Sequence, residues 1–239
     1  MSYLIPKIIH ITWKKKDILK NQSPVILNGL RNLIDLNPDW SLVISDDADV
    51  EKYLKDNLHS LDYELIESRH IVEKADLWRL LKIYHEGGLY IDIDRYYNVP
   101  LNELLTDNIT CVLPTYLDVD FSQDFMLSMP GNPIYKEAIN LNLKRRKEGS
   151  KAIYFLGPQT YMHAISSVLM GQMFDSNPGI QTFNEIRKRI SEMPFIKTYR
   201  ETPPYDTIIF NYDKKTFKTG NNKNRDEFYQ EFGVRHWTK

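Results

Sequence analysis

The chain has 239 residues, 42% of them hydrophobic and 12% aromatic, enough for one sizeable core and short for two. Its 31 Lys and Arg nearly balance 32 Asp and Glu, for a formal net charge of -1. The basic excess that binding to a long polyanion selects is missing, which argues against nucleic acid as a partner. The single cysteine, Cys111 in the apolar run TCVLP, excludes an intrachain disulfide and reads as a small buried hydrophobe.

At the N-terminus a short apolar stretch precedes the basic run Lys14, Lys15 and Lys16, the reverse of a secretory signal. No segment approaches the roughly 20 apolar residues that cross a bilayer. These features predict a soluble, cytoplasmic protein, compatible with peripheral contact with a membrane.

Residues 7–13, KIIHITW, are compact and rich in β-branched side chains and predict a buried strand. Ser23 and Pro24 then read as an N-cap and first helical residue. Leu27, Leu30, Leu33 and Ile34 follow at helical spacing and are expected to face the core, until Asn37-Pro38 ends the helix. Residues 40–45, WSLVIS, predict a second strand that closes on Asp46 and Asp47, which fit either a nucleoside contact or the cap of the next helix.

The segment 73–94 is the most legible. Leu77, Leu80, Leu81 and Tyr84 form an apolar stripe at i, i+3, i+4 and i+7, and Gly87-Gly88 supplies the stop. LYIDID follows with strict alternation. Leu89, Ile91 and Ile93 point one way, and Tyr90, Asp92 and Asp94 the other. Residues 111–113 and 125–129 predict strands, and helices are expected from Asn132-Pro133 to about Lys147 and from Gly157-Pro158 through the Met170 region. Residues 182–193 predict a helix, 195–199 and 207–212 short strands, and the polar stretch 213–225 a loop. The alternation of strands and helices predicts a single α/β domain over residues 1–239.

Asp92 and Asp94 place two carboxylates side by side, which is costly unless a cation or protons offset their repulsion. A hard divalent ion such as Mg²⁺ or Mn²⁺ typically binds one or two carboxylates together with substrate phosphates, and would offset charge on a diphosphate leaving group. A bare DxD is a weak signal; its setting strengthens it. Asp76 and Arg79, three apart on the preceding helix, share a face. A second DxD at Asp118 and Asp120 lacks that setting and reads as loop. Arg95 reads as solvated and His10 as a core residue.

The run KADLWRLLKIYHEGGLYIDID resembles the signature of the DXD-type sugar transferases of glycosyltransferase family 32. That family includes yeast-type initiating mannosyltransferases, bacterial capsule transferases and clostridial glucosylating toxin domains. IPKIIHITWK, NPDWSLVISDD, DFMLSMPGNPIYKEAI, LGPQTY and the terminal His236-Trp237 are similar to further blocks of that family, in order. The resemblance implies a GT-A fold, a Rossmann-like mixed sheet flanked by helices. It also implies a retaining hexosyltransferase of polysaccharide biosynthesis, moving a hexose or N-acetylhexosamine from a nucleotide-sugar donor, a UDP-sugar or GDP-mannose. The acceptor would be a glycan, a lipid-linked sugar or a protein, and the cofactor Mn²⁺ or Mg²⁺. Carried over by position, Asp94 is the principal metal ligand, Asp92 contacts ribose or the metal shell, and Asp76 and Arg79 hold the sugar hydroxyls. Tyr90 lines the donor site, Trp13 stacks on the base, and His236 and Trp237 approach the diphosphate, His236 as a further ligand of the metal or a phosphate contact. The competing readings are a catalytically silent nucleotide-sugar-binding protein and a DxD phosphatase; Tyr96 stands where the phosphatase pattern needs Thr or Val.

Overall fold

The computed structural model describes residues 4–20, 24–97, 100–105, 108–116, 120–121, 123–170, 185, 188, 196–201, 208–212 and 215–221. The chain opens with β1 (Ile8–Thr12), α1 (Pro24–Leu36) and β2 (Ser41–Ser45), a parallel β-α-β unit in which Ile8 pairs with Ser41 and Thr12 with Ser45. Three helices follow, α2 (Asp47–Asn57), α3 (Ser60–Glu67) and α4 (Ile71–Glu86), before β3 (Gly88–Ile91). β3 returns parallel to β1 on its other side, with Ile9 opposite Leu89. The connections therefore leave β1 and β3 in opposite directions, and the carboxyl ends of these two strands flank a topological switch point, where open α/β sheets bind ligands.

β4 (Arg95–Tyr97), β5 (Cys111–Tyr116), β6 (Asp120–Phe121) and β7 (Phe125–Ser128) come next. They precede α5 (Pro133–Lys147), α6 (Ile153–Leu156) and α7 (Pro158–Met170). The last described strands are β8 (Ile196–Glu201), β9 (Ile208–Tyr212) and β10 (Lys215–Asn221). The main sheet runs β2-β1-β3-β7-β5-β6, with β8 parallel beside β5; β7 is antiparallel to both β3 and β5. A small antiparallel sheet has the order β4-β10-β9.

Strand alternation divides the core between the two faces of the main sheet. Leu89, Ile91, Val112 and Leu127 pack with β1 and α1, while Tyr90, Cys111, Leu113 and Met126 pack with α4, α5 and α7. α4 packs against both α2 and α5, so it is buried well beyond its apolar stripe: Leu77, Trp78, Leu80 and Ile83 are inaccessible, and Glu73, Asp76 and Arg79 are buried too. His70 caps this helix, its Nδ1 accepting from the Val72 N–H at 3.2 Å. Gly87 (φ +66°) and Gly88 (φ +87°) end it. A Cβ on Gly88 would stand 2.4 Å from the Ile8 carbonyl oxygen, so glycine is also what lets β3 come up against β1. His10 sits in the core as expected, its Nε2 hydrogen-bonded to the Gly87 carbonyl oxygen at 3.1 Å.

Three expectations are corrected. Ile34 is 38% exposed, because the buried edge of α1 is narrower than its apolar spacing suggests and is carried by Leu30 and Leu33. β3 stops at Ile91: the Asp92 N–H makes a last bond to the Asp124 carbonyl oxygen, and Arg95 N–H then closes a turn onto Asp92 at 3.0 Å. Asp94 is thus placed by that turn and not by strand alternation. Residues 215–221, expected within a loop, form the central strand of the small sheet, pairing with β9 on one side and β4 on the other. Most of residues 182–193, together with His236 and Trp237, lie outside the described residues.

Candidate donor-sugar and diphosphate site

Asp92 follows β3 directly and faces the α4 side of the sheet, the side already occupied by Tyr90. There it meets Arg79. The guanidinium spans two carboxylates, with Nη1 3.1 Å from Asp92 Oδ1 and Nη2 2.9 Å from Asp76 Oδ1. Its Nη1 also donates to the Gln123 carbonyl oxygen at 3.2 Å. Arg79 lies over the Tyr90 ring, 4.6 Å from the centroid, and the Tyr90 hydroxyl donates to Asp92 Oδ1 at 2.5 Å. The expected Asp76–Arg79 pair is therefore a buried network and not a surface salt bridge, with side chains 6% and 10% exposed. A guanidinium fork suits this task because its donors diverge in one plane.

The electrostatics follow from that burial. Desolvation pushes Asp76 up to about 6, against the pull of Arg79 and with added repulsion from Asp92. Burial works against the charge on Arg79, but Tyr90, Asp92, Asp76 and Asp94 outweigh it and hold its pKa above the usual value. Burial likewise raises the Tyr90 hydroxyl well above its ordinary range and keeps it a donor toward Asp92. Tyr90 is 2% exposed and packs edge-on against Trp78, so it lies beneath Asp92 in the site's floor.

Sequence reasoning missed the floor's other half. Gln123 and Asp124 precede β7 and fasten both signature elements. The Gln123 Nε2 donates to Asp76 Oδ1 at 3.2 Å, and the Asp124 carbonyl oxygen accepts from the Asp92 N–H at 2.9 Å. The Asp124 carboxylate pairs with Arg95, which is 12% exposed and not solvated as expected. The available signal was the polar run Ser122-Gln123-Asp124 set between Phe121 and Phe125, both of which are buried. Behind α4, Glu73 takes Arg146 at 2.8 Å and Arg69 at 3.1 Å, tying the helix to α5.

Among the described residues no three His, Cys, Asp or Glu side chains group as a complete metal cage. The donor set nonetheless fits a hard cation that completes its shell with phosphate and water. Asp92 spends Oδ1 on Arg79 and Tyr90, and its side chain is 34% exposed, while Asp94 lies close enough to act on Arg79's charge. Asp76, Asp92, Asp94 and Asp124 outnumber Arg79 and Arg95, a local negative surplus that a divalent ion would offset.

Trp13 follows β1 at the switch point, half-buried, its N–H bonded to the Ser45 carbonyl oxygen at 3.0 Å. Asp46 forms a reciprocal capping box with Asp49 at the start of α2, so of its two expected readings the cap is the one seen. Tyr161 is fully buried against Tyr135, 3.3 Å between hydroxyls, and is core. Asp118 lies outside the described residues.

Residues 25–110 match the family model described as the glycosyltransferase sugar-binding region containing a DXD motif. The chain is 27% identical over 143 residues to inositol phosphoceramide mannosyltransferase 1 of Schizosaccharomyces pombe, covering 57% of this chain and 42% of that protein. It is 31% identical over 152 residues to mannosyl phosphorylinositol ceramide synthase CSH1 of Saccharomyces cerevisiae, covering 61% and 37%. The matched region spans about two fifths of the length of these relatives. In solved structures the fold is similar to that of the PaToxG glycosyltransferase, with a TM-score of 0.56 and 19% identity over 78% of this chain and 76% of that one. The architecture is thus an α/β, GT-A-like fold.

Proposed function

We propose that the chain is a DXD-type glycosyltransferase of family 32, a retaining, metal-dependent hexosyltransferase that folds as one domain over residues 1–239. The observation that carries the reading is Arg79, which joins Asp76 on α4 to Asp92 of the DxD within one buried network. Such a network holds its carboxylates before any ligand arrives, the preorganisation that electrostatic catalysis requires.

In this reading Asp76 and Arg79 take the hydroxyls of the donor sugar, and Trp13 takes the base at the mouth of the switch point. Asp92 and Asp94 face the diphosphate, to which the family resemblance also assigns His236 and Trp237. A divalent cation, Mn²⁺ or Mg²⁺, held by Asp92 and Asp94 would supply charge for the leaving diphosphate. Arg79 adds fixed positive charge behind Asp92 and keeps that carboxylate from swinging toward the sugar. Retention follows if the acceptor hydroxyl attacks the anomeric carbon on the face from which the diphosphate departs.

The relatives' names make mannose the first donor sugar to test and a phosphoinositol-bearing ceramide the first acceptor; glycan and protein acceptors remain within the family's range. Among the described residues no helix is long and apolar enough to cross a membrane. The reading places the protein in the cytoplasm, in contact with a membrane surface when the acceptor is a lipid.

The test is donor hydrolysis with and without Mn²⁺ across a panel of UDP-sugars and GDP-mannose. A transferase slowly releases nucleoside diphosphate from one donor, and only with metal. Release of inorganic phosphate would replace this reading with the phosphatase, and binding without turnover, with or without acceptors, would replace it with a silent binder.

A further inference from the structure

Gln123 carries an unusual distribution of contacts. It is 9% exposed, its Nε2 donates to Asp76 Oδ1, and its carbonyl oxygen accepts from Arg79. Its Oε1 is buried without a hydrogen-bond partner. A purely structural buried amide satisfies both ends, because an orphaned acceptor costs free energy. The orientation of the amide is nevertheless determined: turning it over would set Oε1 against the Asp76 carboxylate.

Asp76 is held from two further directions. Oδ1 also takes Arg79 Nη2 at 2.9 Å, so two donors converge on that one oxygen. Oδ2 turns toward Gly157, at the junction of α6 and α7, where a Cβ would stand 2.4 Å away. The carboxylate is thus fixed in rotation, with Oδ1 committed to protein donors and Oδ2 kept in the space that Gly157 leaves open.

We propose that Gln123 is a positioning residue for donor-sugar recognition, which fixes the Asp76 carboxylate so that one defined oxygen receives the sugar hydroxyls. The inference rests on the glycosyltransferase reading above. Discrimination between hexoses that differ in one hydroxyl's orientation needs an acceptor whose direction does not adapt, and the Gln123 amide removes the rotation that would let it adapt. A sugar bound beside Asp76 also brings hydroxyl donors to the neighbourhood of the orphaned Oε1. The hydrogen bond of the Gln123 side chain runs to Asp76, on the sugar side of the site, and away from the nucleoside and diphosphate part.

The test compares the whole protein with Gln123→Met, which keeps length and removes both polar ends, and Gln123→Glu, which keeps shape and replaces the donor by an oxygen. Binding of the preferred nucleotide sugar and of the matching free nucleoside diphosphate is measured for each with Mn²⁺, alongside donor hydrolysis. Losing a hydrogen bond to a charged group should weaken nucleotide-sugar binding by roughly 10- to 100-fold and narrow the preference between epimeric hexose donors. Affinity for the free diphosphate should fall by much less than that for the nucleotide sugar, since base and diphosphate are assigned to Trp13, Asp92 and Asp94, which couple to Asp76 only through Arg79. Equal loss for nucleotide sugar and free diphosphate in both variants would make Gln123 a merely structural residue and overturn the proposal. So would unchanged sugar binding and selectivity. If the unaltered protein binds free diphosphate but no nucleotide sugar from the panel, the transferase reading fails first, and that outcome is distinct from the other two.

Discussion

Arg79 Nη1 stands 3.1 Å from Asp92 Oδ1, so a residue in the body of α4 holds the first carboxylate of the DxD. The same guanidinium reaches Asp76 through Nη2 and the Gln123 backbone through Nη1, three acceptors on three different elements. A lysine keeps the charge but presents one compact ammonium and cannot reach all three in fixed geometry. Arg79→Lys should therefore fold, with stability lowered by less than the ~3–5 kcal/mol expected when a buried ion pair loses one partner outright. Donor hydrolysis should fall by roughly 10²–10³, the usual loss for one preorganised electrostatic contact. Far-ultraviolet circular dichroism and metal-dependent nucleotide release, measured together, check both halves.

Two glycines separate backbone strain from steric contact. Gly88 (φ +87°) and Gly131 (φ +72°) both adopt the left-handed region, but a Cβ at 88 meets the Ile8 carbonyl oxygen at 2.4 Å and one at 131 meets nothing within 4 Å. Gly131→Ala should cost about 1–2 kcal/mol, the conformational term alone. Gly88→Ala should cost clearly more, because β1 and β3 must separate at the switch point. Urea unfolding midpoints of the two variants give the comparison, and equal losses would mean that the β1–β3 approach is not under steric control.

Much of this was legible in the sequence because local chemistry and tertiary position agree. Asn132-Pro133 and Lys147 bracket α5 as the sequence pattern predicts, and the capping bond that the Ile134 N–H donates to Asn132 Oδ1 is the physical reason. The central signature, helix, Gly-Gly stop and strand, is equally local. What was not legible depends on distant partners. The end of β3 is set by Asp124, more than thirty residues on, and composition alone hid β10, where Thr216, Phe217 and Thr219 sit among lysines and a glycine. Nothing in residues 73–79 says that both sides of α4 are covered, so the shared face of Asp76 and Arg79 was legible and its burial beneath α2 and α5 was not.

That burial has a pH signature. Asp76 titrates at about 6 in the folded protein against 3.8 as its reference value, so the folded state binds the proton more tightly than the unfolded chain. The sign follows directly: stability from this group is greatest below about pH 4 and is lost as pH rises through 6, by about 3 kcal/mol for a two-unit shift. Asp76→Asn has no such group. The stability difference, variant minus unaltered protein, should therefore increase between pH 4 and 6.5 and then level off. Thermal unfolding of both proteins over that range measures it, and a flat difference would place the Asp76 titration elsewhere.

Asp94 is the last residue of the DxD and is held in the turn that Arg95 closes onto Asp92. At 6% exposure it is more enclosed than Asp92, and its charge is felt by Arg79. Asp94→Asn preserves shape while removing one negative charge from the proposed cation site. Loss of that charge weakens cation binding, and the departing diphosphate loses its electrostatic support with it. The rate of metal-dependent nucleotide release should drop by about 10²–10³ at fixed Mn²⁺, and raising Mn²⁺ should recover part of it. Asp118→Asn, from the second DxD, serves as the comparison and should stay near the unaltered rate. Isothermal titration with Mn²⁺ and nucleoside diphosphate separates the cause, because weaker ternary binding must accompany the slower release. Full activity in Asp94→Asn together with its loss in Asp118→Asn would move the site from the end of β3 to the segment before β6.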